Sequence, residues 1–129
     1  MTANSGGNAI LAGDGDDILI GSADADLFLG EARSDAFVFS MSANTGEDVI
    51  ADFEIGTDVL KFTDVVDVDS PAGLDFDDAV TSVVDNGTDI TANLYNGGGS
   101  ITLSGLGDGT VATVSALETL LTSSSIDVS

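Results

Sequence analysis

The chain contains no cysteine and no histidine, which removes disulfides, zinc–thiolate sites and the common nucleophile and acid/base arrangements together. Tryptophan is also absent and Tyr95 is the one tyrosine, so little is available for stacking on sugars. Positive charge is nearly missing: Arg33 and Lys61 stand against 23 acidic residues, for a net charge of -21 on 129 residues. Such a chain makes a poor partner for nucleic acid or anionic membrane, and without counter-charge it repels itself. No run of eighteen apolar residues exists, so no membrane insertion is expected. The opening MTANSGGNAILAG has neither a basic region nor an apolar core, and is not read as a Sec-type signal peptide.

What is present is a beat of nine. Asn8, Asp17, Asp26 and Asp35 occupy one slot of four successive nonapeptides between Ala3 and Phe39. Two places on stand Ile10, Leu19, Phe28 and Phe37; two places before stand Gly6, Gly15, Asp24 and Arg33. A polar turn of six residues followed by three apolar ones closes two units into a flattened coil of eighteen. Neighbouring coils then pair in parallel, with equivalent residues about 4.8 Å apart. Asp17 faces Asp35 in that geometry, and Asn8 faces Asp26. Two carboxylates so placed repel by roughly 3 to 4 kcal/mol at an effective dielectric of 20. A hard divalent cation between them answers the problem. Calcium accepts six to eight oxygen ligands in flexible geometry, whereas magnesium demands a tighter octahedron. The chain is also 43% hydrophobic, too apolar for an acidic disordered tail. A chain that tends to collapse but must first be neutralised is expected to fold with its metal.

The stretch GDGDDILIGSADADLFLGEARSDAFVF, Gly13 to Phe39, resembles the RTX or hemolysin-type repeat G-G-x-G-x-D-x-U-x, in which U is a large apolar residue. GEDVIADFEIGTDVLKF, Gly46 to Phe62, looks like the segment that closes the RTX β-roll. The remainder is similar to the carboxyl-terminal domains of proteins exported by type I secretion systems. Departures are Ser22 and Glu31 at second glycines, and Asp24 and Arg33 at fourth-position glycines. The resemblance implies a calcium site made by the Asp17 and Asp35 carboxylates with carbonyls of Gly13, Gly15, Gly30 and Ala32. It implies a second, weaker one made by Asn8 and Asp26 with carbonyls of Asn4, Gly6, Gly21 and Ala23. Asp48, Asp52 and Asp58 in the closing segment either hold a further ion or are solvated turn residues. The EF-hand is excluded, because a loop starting at Asp14 finds Leu19 where glycine is required and Ala25 where glutamate is.

The fold expected is mainly β: a parallel β-roll of nonapeptide repeats over residues 1–62, with a small region of hairpin and short helices packed on it over 63–129. Within the latter, LDFDDAVTSVV (Leu74 to Val84) has Phe76, Val80, Val83 and Val84 at helical spacing, its aspartates serving as helix-start chemistry. Ile90, Ala92 and Leu94 pair with Ile101 and Leu103 as a hairpin that Asn86 and Gly87 turn into, with Gly97 to Gly99 between the arms. SALETLL reads as a short amphipathic helix and SSSIDVS as a disordered tail. Because strand neighbours alternate faces, Ile18, Ile20, Leu27, Leu29 and Val38 point out of the roll. Either the carboxyl-terminal half or another copy of the chain then covers them.

These readings converge on a secreted, non-enzymatic calcium-binding protein at the cell surface or outside it. It would leave through type I secretion machinery, fold on meeting calcium, and assemble with itself as a homo-oligomer or filament. The alternative makes the chain the calcium-binding and secretion module of a larger exported enzyme or adhesin. A carbohydrate-binding module is disfavoured by charge and by the scarcity of aromatic side chains. Carboxylates alone can perform glycoside hydrolysis, but here they occupy turn slots with a simpler use.

Overall fold

A computed structural model describes residues 1–43, 45–68, 73–95 and 99–129. The protein is mainly β. Each apolar triplet of the nonapeptide forms a short strand: β1 (Ala9–Leu11), β2 (Ile18–Ile20), β3 (Leu27–Leu29) and the longer β4 (Ala36–Ser40). β5 (Glu47–Ile50) and β6 (Val59–Thr63) follow, then β7 (Val80–Asp85), β8 (Ile90–Leu94) and β9 (Ser100–Leu103). Helix α1 (Val114–Leu121) and β10 (Ile126–Val128) end the chain.

Strands β1 to β6 go alternately to two sheets, one ordered β1-β3-β5-β9-β8-β7 and the other β10-β6-β4-β2, with β7, β8 and β9 all in the first. Ile10 lies opposite Phe28 and Leu19 opposite Phe37, both in parallel pairing and both at the expected interval of eighteen. The interval then lengthens: Leu27 pairs with Val49 and Ala36 with Val59. The extra residues lie in the longer β4, in the start of β5 and in the connection before β6, where the nonapeptide beat has ended.

The central residue of each triplet points inward. Ile10, Leu19, Phe28 and Phe37 are buried between the sheets with Ile50, Leu60 and Phe62. All six phenylalanines join one chain of ring contacts, Phe53–Phe37–Phe28–Phe39–Phe62–Phe76, with centroids 5.9 to 6.2 Å apart. Edge-on or tilted pairs at that range add about 0.5–1.5 kcal/mol each beyond the area they bury.

Two expectations are corrected. Residues 74–84 are not a helix: a three-residue 3-10 turn at Phe76–Asp78 leads directly into β7. Val80, Thr81, Val83 and Val84 are β-branched and favour the extended backbone, and Val80 and Val83 are still buried while Val84 is not. The aspartates do act at the turn's start, where Asp78 accepts the Asp75 and Val68 amides at 3.0 and 2.7 Å. SSSIDVS is not a disordered tail either. Ser125 Oγ accepts the Gly56 amide at 2.8 Å, and β10 pairs in parallel with β6, Ile126 opposite Leu60 and Val128 opposite Phe62. Without β10, the outer edge of β6 would be left with open backbone groups.

The expected hairpin is present as β8 and β9, and the Asn86 side chain accepts the Thr88 and Asp89 amides in the turn between β7 and β8. Gly97 and Gly98, like Ser70 and Pro71, lie outside the described residues. SALETLL is helical, capped by Thr113 Oγ1 accepting the Ala116 amide, with Leu117 and Leu121 buried. The carboxyl-terminal strands extend both sheets and leave the outer faces of the first coils uncovered: Ile18 stays 58% exposed and Leu11 56%. Ile20 and Leu27 are also exposed, whereas Leu29 and Val38 are half-buried. Among the described residues no helix is long and apolar enough to cross a membrane.

Candidate cation-binding turns

Two turns eighteen residues apart share one backbone shape although the second has lost its glycines. Gly13 and Gly15 have positive φ (94° and 145°), and so do Glu31 and Arg33 (70° and 83°), the residues eighteen positions on. Side chains rarely tolerate that region. The Asp14–Ala32 bridge ties the two turns together, coil upon coil, and imposes the conformation.

Stacking brings the repeated polar slots into two columns. In the first, Asp26 Oδ1 accepts the Asn8 amide at 2.8 Å and Asp48 Oδ1 accepts the Asp26 amide at 2.8 Å. In the second, Asp35 Oδ1 accepts the Asp17 amide and Asp58 Oδ1 accepts the Asp35 amide, each at 3.0 Å. One oxygen of each carboxylate thus caps the backbone of the preceding coil. The second oxygens fare unequally. Asp26 Oδ2 accepts from Ser22 N and Oγ (2.8 and 2.9 Å), and Asp58 Oδ2 from Glu54 N at 2.8 Å. Asp35 Oδ2 and Asp48 Oδ2 are buried and have no donor among the described residues.

At Asp35 the close approach depends on glycine, whereas at Gly21 the oxygens stand at ordinary contact distance. A Cβ on Gly30 would lie 2.3 Å from Asp35 Oδ2, and one on Gly21 would lie 3.5 and 3.7 Å from the Oδ2 atoms of Asp48 and Asp26. Asp52 accepts the amides of Gly30 and Glu31, one on each oxygen at 3.0 and 2.8 Å, and so holds that turn.

Electrostatics follow the donor count. Burial pushes Asp48 up to about 7, against the Asp26 amide that favours its charge and with the Asp26 carboxylate adding to the rise. Asp35 is raised by burial, opposed by the Asp17 amide and reinforced by the charges of Asp58, Asp17 and Asp52. Asp58 is likewise raised, burial outweighing the amides of Asp35 and Glu54. Burial would raise Asp26 too, but hydrogen bonds from Ser22 and Asn8 prevail and lower it.

The structure brings together Asp17 with Asp35, and Asn8 with Asp26, Asn4 and Gly6. Gly13 and Gly15 border Glu31 and Asp17 respectively, while Ala23 is exposed beside Asp24. Among the described residues no three acidic side chains converge as a ready metal cage. The feature repeated in each column is smaller: a buried carboxylate oxygen with no donor among the described residues, packed against a glycine. Two contributors were not read from the sequence. Ser22 satisfies Asp26, and Asp24 accepts the Gly6 amide at 2.7 Å; the eighteen-residue interval from Gly6 to Asp24 was the available signal for the second. A separate cavity of about 580 Å³, lined by Phe76, Glu118, Ile126 and Val128 among others, shares no residue with these turns. No family model matches the chain, and neither a curated protein nor a solved structure matches it.

Proposed function

We propose that the protein is a secreted, RTX-type calcium-binding protein whose repeats form a parallel β-roll, and that it folds on calcium outside the cell after type I export. The observation that carries this reading is the Asp35 carboxylate, 2% exposed, with one buried oxygen lacking any hydrogen-bond donor among the described residues. An anionic oxygen so held costs several kcal/mol unless a positive charge compensates it. Bound calcium supplies that charge and accepts further oxygen ligands. Asp17 and Asp35 provide the carboxylates, and Gly13, Gly15, Gly30 and Ala32 the carbonyls. Asp48 with Asp26 is the corresponding pair in the other column. An affinity of about 10⁻⁴ to 10⁻³ M suits an extracellular module, and keeps the acidic chain expanded where calcium is scarce.

A second reading concerns assembly. The exposed Leu11, Ile18, Ile20 and Leu27 favour self-association through the outer faces of the first coils. The proposal that the chain is a module of a larger exported enzyme or adhesin differs in the size of the native product, and shares the same calcium chemistry.

The test is a calcium titration followed by circular dichroism and hydrodynamic size together, with magnesium as control. A calcium-specific passage from expanded to β-rich chain supports the folding switch, and growth beyond monomer supports assembly. A chain already fully folded in chelator overturns the switch.

A further inference from the structure

The Asn8–Asp26 slot pair differs from the Asp17–Asp35 slot pair by one side-chain heavy atom. Asn8 holds the slot that Asp17 holds nine residues later, and its amide nitrogen does what a cation would do there. Nδ2 donates to the carbonyls of Asn4 (2.8 Å) and Gly6 and lies 3.3 Å from Asp26 Oδ1. Its two hydrogens, one of them shared, thus serve two carbonyls and a carboxylate. Asp26 is completed by the Asn8 and Ser22 amides and the Ser22 hydroxyl, and has no orphan oxygen of the kind Asp35 and Asp48 carry. In the equivalent turn, Asp17 has only oxygen to offer next to the backbone of Gly13 and Gly15. Nothing in its side chain can donate when it is ionised.

We infer that the step between the Asn8 turn and the Asp26 turn is closed by the chain's own amide and takes no ion. This rests on the proposed calcium reading only for the contrast with Asp17. The amide clamp itself is a hydrogen-bond arrangement that exists without metal. Its consequence is an order of events: the first coil is pinned at calcium levels that leave the Asp17–Asp35 pair open, and presents a formed edge on which later coils pair.

The experiment is an exchange of the two slots, read by calcium stoichiometry in equilibrium dialysis and by thermal unfolding in chelator with trimethylamine N-oxide added, an excluded osmolyte that favours the compact state without metal. Asn8→Asp gains one ion relative to wild type and is less stable in chelator, since it trades a donor for a charge facing Asp26. Asp17→Asn loses one ion and is more stable in chelator. Asn8→Leu lowers the folding equilibrium constant about tenfold or more, equally with calcium and with chelator. If Asn8→Asp leaves the ion count unchanged, or if Asn8→Leu costs stability only when calcium is present, the Asn8 step holds an ion and the inference is wrong. A wild type that binds no calcium would remove the proposed function but not the clamp, which then stands or falls on Asn8→Leu in chelator.

Discussion

Two aspartates in this protein sit in similar surroundings of turns and strands and have opposite electrostatic fates. Asp48, in β5, is completely buried, receives one backbone amide, and is pushed up to about 7. Asp85, at the end of β7, is held down at about 2. Burial acts to raise Asp85 as well, but it is outweighed by the amides of Gly87, Val111, Gly109 and Asp108. Gly87 donates to Oδ1 at 2.9 Å, Asp108 and Val111 to Oδ2 at 3.2 and 3.1 Å. The loop comes this close because Gly107 has no side chain: a Cβ there would lie 2.6 Å from Asp85 Oδ1. Asp85 is therefore completed from within, by backbone donors, whereas Asp35 and Asp48 each keep one buried oxygen without a donor among the described residues, as Asp67 does with Oδ1 outside the repeats. The difference is a count of N–H groups at particular carboxylates rather than a property of one half of the chain.

The strongest way to break the comparison is to remove each type of carboxylate with and without calcium. At a hundred times its dissociation constant, calcium adds about 2.7 kcal/mol per site. Asp35→Asn should forfeit that increment at its own site. Asp85→Asn should lower the melting temperature by the same amount in calcium and in chelator, with trimethylamine N-oxide present in both to favour the compact state. A loss at Asp85 that calcium reverses would erase the distinction.

Next in size is affinity. Asp17→Ala weakens calcium binding by at least about tenfold, because affinity is set by ligand charge count, whereas Asp75→Ala leaves it unchanged. Isothermal titration of the two variants decides this, and equal responses would reject the Asp17–Asp35 assignment.

A smaller effect lies in pH. The folded pKa of Asp48 is above its ordinary 3.8, so the folded chain binds that proton more tightly than the unfolded one. The stability it brings is fully present below about pH 4 and is lost as pH rises through about 7. In chelator with trimethylamine N-oxide present to favour the compact state, the protein should melt higher at pH 5 than at pH 8, and Asp48→Asn should flatten the profile. Asp85 works the other way, its contribution being lost only as pH falls from about 4 through about 2. A chelator profile that rises between pH 5 and 8 would contradict the buried Asp48.

The smallest effect is backbone strain. Glu31 and Arg33 hold the positive φ of their glycine counterparts, at a cost of order 1–3 kcal/mol each, partly offset by the entropy glycine loses on folding. Glu31→Gly and Arg33→Gly should each stabilise by about 1 kcal/mol in denaturant unfolding, with calcium or without it. Destabilisation by both would mean that the side chains contribute contacts exceeding the strain.

Much of the repeat region was legible in advance because its pattern is local. An apolar residue every nine positions places Ile10, Leu19, Phe28 and Phe37 inside, and the interval of eighteen sets which strands meet. Val80 and Val83 were legible as buried but not as strand, since a short apolar run satisfies the helical and extended periods alike and its β-branched residues decided the matter. Ile126 and Val128 carried too short an alternation to be read without β6 beside them.

What the sequence alone determined is thus the coil: its period, its inward and outward faces, and the identity of the residues in its turns. Tertiary structure alone decided which carboxylate oxygens are left without donors. The Oδ2 donors are local, Ser22 and Glu54 each standing four residues before the aspartate they serve, but whether such a donor reaches the oxygen, and which carboxylate is buried, is set by the Oδ1 bonds between coils that join Asn8, Asp26 and Asp48, and Asp17, Asp35 and Asp58. Those bonds are a matter of a few tenths of an ångström between residues far apart in the chain, and no local pattern encodes them.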